Sequence, residues 1–332
     1  MMAWRTCEAR VLLHGLVCAA LTIAHSCYAM AAAAPVDFSE QLDSLWNFSN
    51  PAQSEQRFRE ELQRHPARSR EALETTTQIA RTQSLRRQFR EADATLDTIT
   101  PFVADAPARV RVRYLLERGR TLNSAGKAAQ AVPLFTEATQ IADKSPAAEF
   151  YHVDALHMLG IAAPEAEQLD WNRRALAIAE VSADVRTRQR WSASLNHNIG
   201  WTYFNRRDPA TALAYWQKAL ALRETMDDAQ ALHVARWTIA RGYREVGRFD
   251  EAETIQRSLA AQTERTNTPD GYVYEELAEI AVARGDRPAA RMFAAKAYAL
   301  LRNERSVLAT DDAAHRARLA RLAILGGGDA PR

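Results

Sequence analysis

The groups able to move protons, hold metals or attack carbonyls are few in this chain. Beyond residue 31 the histidines are His65, His152, His157, His197, His233 and His315, and all three cysteines, Cys7, Cys18 and Cys27, come before it. His157 and His197 stand forty residues apart; with Asn198 and Glu275 they would make the polar set of an acid–base site. No carboxylate accompanies the two histidines at ligand spacing, so they read as polar residues lining a surface and not as a zinc pair. The sequence holds no G-x-x-x-x-G-K, G-x-G-x-x-G, G-x-S-x-G or H-E-x-x-H. Those are the arrangements that cradle phosphates, expose a nucleophilic serine or bind catalytic zinc. The expectation is a protein without catalytic residues, metal or cofactor.

Binding chemistry is better represented. Trp201, Trp237, Tyr272, Arg241 and Arg244 are of the types that dominate binding hot spots, with His197, Asn198, Glu275 and Glu279 close to them in sequence. Rings would pack a partner's side chains while guanidinium forks meet its carboxylates or carbonyls. With 43 Lys plus Arg against 41 Asp plus Glu, no overall field draws the molecule to nucleic acid or anionic lipid. The expected partner is therefore a protein or peptide.

The compartment follows from the first residues. Arg5 and Arg10 flank the start of an apolar run, Val11 to Ala24, and a small-residue stretch with Ala29-Met30-Ala31 follows. These are the three parts of a secretory signal peptide, too short to span a bilayer comfortably. The expectation is cleavage after Ala31 and a periplasmic or secreted product that keeps no cysteine and has no membrane span. The alternatives are an uncleaved N-terminal anchor and lipidation at Cys27, whose Ala24-His25-Ser26-Cys27 context is a poor lipoprotein box.

Positioning a binding stripe requires regular elements, and the chain repeats. Small residues at Ala80, Gly119, Gly160, Gly200, Ala240 and Ala278 recur at intervals of 39, 41, 40, 40 and 38. Five of them are followed twelve residues later by Ala92, Ala131, Ala212, Ala252 and Ala290. That spacing holds the end of one helix, a turn and the start of another, with small side chains where two axes approach to about 8–10 Å. Gly126, Gly247 and Gly285 fall where a helix end needs a left-handed cap. Asp208-Pro209 combines an N-cap with a first-turn proline. Apolar residues flank these marks at helical spacing, and no strand pattern is present.

Segments such as NIGWTYFNRRDPATALAYWQKAL, from Asn198 to Leu220, and LLERGRTLNSAGKAAQAVPLFTEA, from Leu115 to Ala138, resemble the tetratricopeptide repeat. Ile199, Gly200, Tyr203, Ala212, Trp216 and Ala219 fit its pattern in one unit, whereas Arg118 and Asn196 depart from it. The unit from about Val153 to Glu180 lacks the twelve-residue partner and is shortened at Ala163-Pro164. The resemblance implies an all-α fold: a right-handed α-solenoid of five to six helical hairpins. The expected organisation is a leader (1–31), an N-terminal capping segment (32–72) with Trp46 and Phe48 packed inward, and the solenoid (73–301). A capping helix (302–325) and a tail (326–332) would complete it. The period near 40, longer than the usual 34, predicts longer helices or connectors.

In such a solenoid the first helix of each hairpin lines a concave face. Steps of three and four select Glu74, Thr77, Arg81 and Ser84; then Arg113, Leu116, Arg120 and Asn123; then Asp154, His157 and Ile161. The later units give Ser194, His197, Trp201 and Phe204; Val234, Trp237, Arg241 and Arg244; and Tyr272, Glu275, Glu279 and Val282. Trp201 and Trp237 read equally as groove contacts or as packing between repeats. One subtype of the family clamps acidic chaperone tails; here only Asn198 suits that role, and Glu275, Glu276 and Glu279 oppose it. The leading expectation is thus an exported, non-enzymatic scaffold for a mixed-charge peptide. The alternative is a structural, oligomeric subunit of an envelope or secretion assembly.

Overall fold

The structure, a computed structural model, describes residues 37–302 and 313–328. The expected leader with its three cysteines, the linker 303–312 and the last four residues lie outside the described residues. Two helices come first, α1 (Phe38–Ser44) and α2 (Pro51–Leu62). Six antiparallel hairpins follow. The first pairs α3 (Arg70–Leu85) with α4 (Phe89–Asp97), and a single turn, α5 (Thr100–Val103), leads to the second. The second and third are α6 (Ala108–Ser124) with α7 (Ala128–Ala142), and α8 (Glu149–Ala162) with α9 (Glu165–Val181). A π-helical turn at Thr187–Trp191 opens the fourth, α10 (Ser192–Asn205) with α11 (Pro209–Arg223). The last two are α12 (Ala229–Glu245) with α13 (Phe249–Arg265), and α14 (Gly271–Arg284) with α15 (Arg287–Leu301). A final helix, α16 (Ala313–Leu325), packs on α15. Among the described residues no helix is long and apolar enough to cross a membrane.

The turns obey local chemistry. Gly126, Gly247 and Gly285 have φ of +79°, +79° and +75°, the left-handed conformation in which a side chain costs free energy. Arg87 and Arg207 adopt it too, at φ of 62° and 63°, in the equivalent places of the first and fourth hairpins. Asp208, Asp228 and Asp286 accept from the backbone N–H groups of Thr211, Ala231 and Ala289 at 2.9–3.0 Å, ending the helices' unpaired donors.

Each hairpin closes around its small residue. A Cβ on Gly119 would overlap the Phe135 ring, and one on Gly200 would overlap Trp216. Phe135 and Trp216 are among the largest fully buried side chains. In the third hairpin the place opposite Gly160 belongs to Asn172, whose Nδ2 donates to the Gly160 carbonyl at 3.3 Å and to that of Gln168 at 3.0 Å. Asn172 therefore takes the place that Phe135 and Trp216 fill in their hairpins, four residues earlier because the turn is shorter, and the hairpin still forms. The long period resides in the helices: from α6 to α15 they run 14 to 17 residues.

The inner stripe of the first three hairpins is largely covered, although Ile161 is exposed and Arg81, Arg120, Asn123 and His157 are half-buried. Glu74, Thr77 and Ser84 of α3, Arg113 and Leu116 of α6 and Asp154 of α8 are all buried. Segment 38–50 lies across them: Trp46 donates to Gln78 at 3.2 Å, and Asp43 is salt-bridged to Arg186 and, at 3.5 Å, to Arg190. Phe38, Leu42 and Phe58 pack with Ile79 beneath. Phe48 does not pack inward as expected; it is exposed and stacks on Trp46 with centroids 4.7 Å apart, because Phe58 already occupies the buried side of Trp46.

Candidate functional site

The fourth to sixth hairpins keep part of their inner stripe accessible. From α10 come His197, Asn198, Trp201 and Phe204; from α12, Val234, Trp237, Arg241 and Arg244; from α14, Tyr272, Glu275 and Glu279. All are half-buried except Val234, which is exposed. Half-burial is what a side chain packed on one edge and open on the other shows.

Arg241 is the centre of the group. Its guanidinium lies 5.7 Å from the Trp201 ring, 5.2 Å from Phe204 and 5.6 Å from Trp237, an aromatic collar that favours a cation by roughly 0.5–2 kcal/mol. Its Nη1 donates to Glu276 at 3.3 Å, and Arg244 Nε reaches the same carboxylate at 2.8 Å. Arg241 Nε, in contrast, is buried and finds no acceptor among the described residues. The arrangement presents a guanidinium whose charge is partly offset internally and whose side chain stays 28% exposed, with further N–H donors beyond the one that Glu276 takes.

Trp201 and Trp237 serve packing and surface at once. Trp201 meets the buried Trp216 edge-on at 5.0 Å, and its Nε1–H donates to His197 Nε2 at 3.0 Å. Burial, aided by the nearby Arg223 charge, pushes the His197 pKa down to about 4, so a neutral ring with a free Nε2 lone pair accepts that bond. Trp237 Nε1–H donates to the Tyr272 carbonyl at 3.2 Å. Burial, outweighing nearby Asp154, also lowers the His157 pKa; this ring receives Asn198 Nδ2 at 3.4 Å and lies against Trp191. The two histidines are thus each engaged with other partners, and among the described residues no cluster of His, Cys, Asp or Glu could hold a metal ion.

The acidic members are tied elsewhere. Glu279 is bound by Arg321 and Glu275 lies 3.2 Å from Arg318 Nε, both arginines on α16. Arg318 also stands over the Tyr272 ring at 5.4 Å. Burial raises the Glu275 pKa, with Arg318 opposing. The stripe therefore separates into an aromatic–arginine part on α10 and α12 and an acidic part covered by α16. Sequence spacing missed the cleft beside it, about 970 Å³, lined by His233, Val234, Trp237, Tyr272 and Leu300. At its edge His233 Nε2 lies 2.9 Å from Asp270 Oδ2; burial raises the Asp270 pKa, but the bonds from His233 and the Tyr272 N–H outweigh it and hold the carboxyl low. Val234, Trp237 and Tyr272 were on the stripe that the sequence selects; His233, Asp270 and Leu300 were not.

No protein-family model matches the chain, and no curated protein does. Solved structures match it throughout. The apo form of RapI superposes with a TM-score of 0.62 at 10% identity, over 87% of this chain and 81% of that one. A Rap protein complexed with competence and sporulation factor gives 0.54 at 12%, over 87% and 80%. A STAND signal-transduction ATPase with a tetratricopeptide repeat sensor, from Pyrococcus horikoshii, gives 0.63 at 14%, over 88% of this chain and 44% of that one. The fold is the tetratricopeptide-repeat solenoid, an all-α stack of helical hairpins.

Proposed function

We propose that this chain is an exported, non-enzymatic scaffold that holds a peptide or protein segment along the inner face of α10 and α12. The observation that carries the reading is Arg241: collared by Trp201, Phe204 and Trp237, paired with Glu276, and still 28% exposed. A segment offering a carbonyl or carboxylate to Arg241 and an apolar side chain to the cleft beside Val234 and Trp237 matches both features. That a Rap protein of this fold was solved with competence and sporulation factor shows a partner being held by such a stack. Export rests on the leader pattern of residues 1–31, with Cys27 lipidation or an uncleaved anchor as its alternatives.

The test is selection of displayed peptides on the purified protein, followed by titration of the enriched sequence. Arg241→Gln leaves Glu276 paired with Arg244, and Val234→Glu changes an exposed position, so both variants keep their melting temperatures. Each is expected to weaken the selected peptide at least tenfold. Unchanged affinity in both would place the partner elsewhere. Mass spectrometry of the N-terminus of protein recovered from the exported fraction checks cleavage after Ala31.

A further inference from the structure

The inner face of the first hairpins contains a cavity of about 190 Å³ that the peptide reading does not use. Arg81 of α3, Arg113 and Arg120 of α6, and Arg190 before α10 line it, against three carboxylates: Asp43, Glu117 and Asp154. The remaining walls include Trp46, Phe150 and Trp191. Four guanidiniums face three carboxylates here, and the charges directly behind them, Glu74, Arg109 and Arg186, leave cations in excess.

The pairing shows where the surplus sits. Asp154 is bound to Arg120, and Glu117 Oε1 lies 2.7 Å from the same arginine. Asp43 is engaged by Arg186 and Arg190. Arg113 is held by Tyr151 and, at 3.5 Å, by Glu74, which Arg109 reaches at 3.0 Å. Arg81 has only a 3.4 Å approach to the Glu117 oxygen that Arg120 already holds. Arg81 Nε and Arg113 Nε are both buried without an acceptor among the described residues. Burial and the neighbouring Arg120 charge push the Arg81 pKa down, outweighing Glu117. A half-buried cation left short of counter-charge is costly, and an anion would relieve it.

Size and lining narrow that anion. A dry cavity of about 150 Å³ accommodates a benzene ring, so this one has room for a ring and a carboxylate. A phosphate would leave the aromatic walls, Trp46, Phe150 and Trp191 among them, without a partner. We propose that this cavity binds a carboxylate carried on one aromatic ring, its oxygens meeting Arg81 and Arg113 and its ring packed among Trp46, Phe150 and Trp191. The same chemistry is offered by a free aromatic acid and by a polypeptide ending in phenylalanine.

Calorimetric titration of the full chain at neutral pH with phenylacetate and its neutral isostere phenylacetamide tests the assignment. The acid is expected to bind at least tenfold more tightly than the amide. Arg81→Gln should weaken the acid tenfold or more, Arg81→Lys should restore part of the loss, and Arg190→Gln at the exposed rim should cost two- to threefold. A tetrapeptide ending in Phe, with and without C-terminal amidation, separates the sources: a gain over phenylacetate that amidation abolishes assigns a chain terminus, and its absence a free acid. Equal binding of acid and amide, or no binding of acid or peptide at millimolar concentration, overturns the proposal. The Arg241 peptide titration is unaffected by Arg81→Gln, so the two sites stand or fall separately.

Discussion

The inner face of hairpins one to three and that of hairpins four to six are built on the same stripe, yet the buried glutamate of one has buried partners and that of the other has partly exposed ones. In the first, Glu74 is fully buried and Arg113 nearly so, and segment 38–50 lies across them. In the second, Glu276 is just as buried, but its partners Arg241 and Arg244 keep 28% and 16% of their side chains exposed. A solenoid repeats its stripe; what lies across that stripe decides whether charge becomes structural or available. The aromatic collar around Arg241 covers the guanidinium's flanks and leaves its end accessible, whereas Trp46 and Asp43 close over the N-terminal cluster.

The sharpest way to break the comparison is to remove the two buried glutamates in parallel. Glu74→Ala strands Arg109 and Arg113 in the interior, and about 3–5 kcal/mol of unfolding free energy is expected to go. Glu276→Ala leaves guanidiniums that can turn to water, with a loss of about 1–2 kcal/mol. Denaturant titration of both variants measures the difference; equal losses would mean the two faces are equally closed.

His197 supplies a second contrast, through pH. Its folded pKa of about 4 lies below the usual 6.5 because burial disfavours the imidazolium. The unfolded chain therefore takes up the proton first, and stability present above pH 6.5 is lost as pH falls towards 4. The full difference is about 3 kcal/mol. The gap between wild type and His197→Gln should change by that order across this window in urea melts at stepped pH, and a constant gap would remove the histidine from the account.

The smallest effect concerns turns. Arg207→Gly at φ of 63° relieves a left-handed side chain and is expected to stabilise by about 0.5–1 kcal/mol. The same change at Arg206, where φ is −80°, destabilises; a shift of a few degrees in melting temperature, opposite in sign for the two, checks it.

Most of the fold was legible because its determinants are local. A glycine under a tryptophan sixteen residues on, a left-handed turn and an N-cap aspartate are all set within one hairpin, so Gly200, Gly247 and Asp208 announced their roles. Asn172 was not legible, since a polar residue takes the aromatic's place only because Ala163-Pro164 shortens the turn before it. Within the candidate site, Trp201, Trp237 and Arg241 sit on adjacent first helices and their meeting followed from the period. The fates of Glu275 and Glu279 did not, because the arginines that bind them lie about forty residues on. Nor did the closing of the first three hairpins, which depends on Asp43 meeting an arginine 143 residues away.

That last contact imposes an order in time. Asp43 leaves the ribosome, or emerges across a membrane, 143 residues before Arg186. At synthesis rates of about 5–20 residues per second the interval is roughly seven to thirty seconds. Within it segment 38–50 has its contacts to Gln78 and Ile79 of α3 available, but its tie to Arg186 waits until the fourth hairpin begins to appear. An array that would otherwise assemble neighbour by neighbour thus has one clasp between its first and fourth units, and the N-terminal cavity is the last part of that stretch to mature.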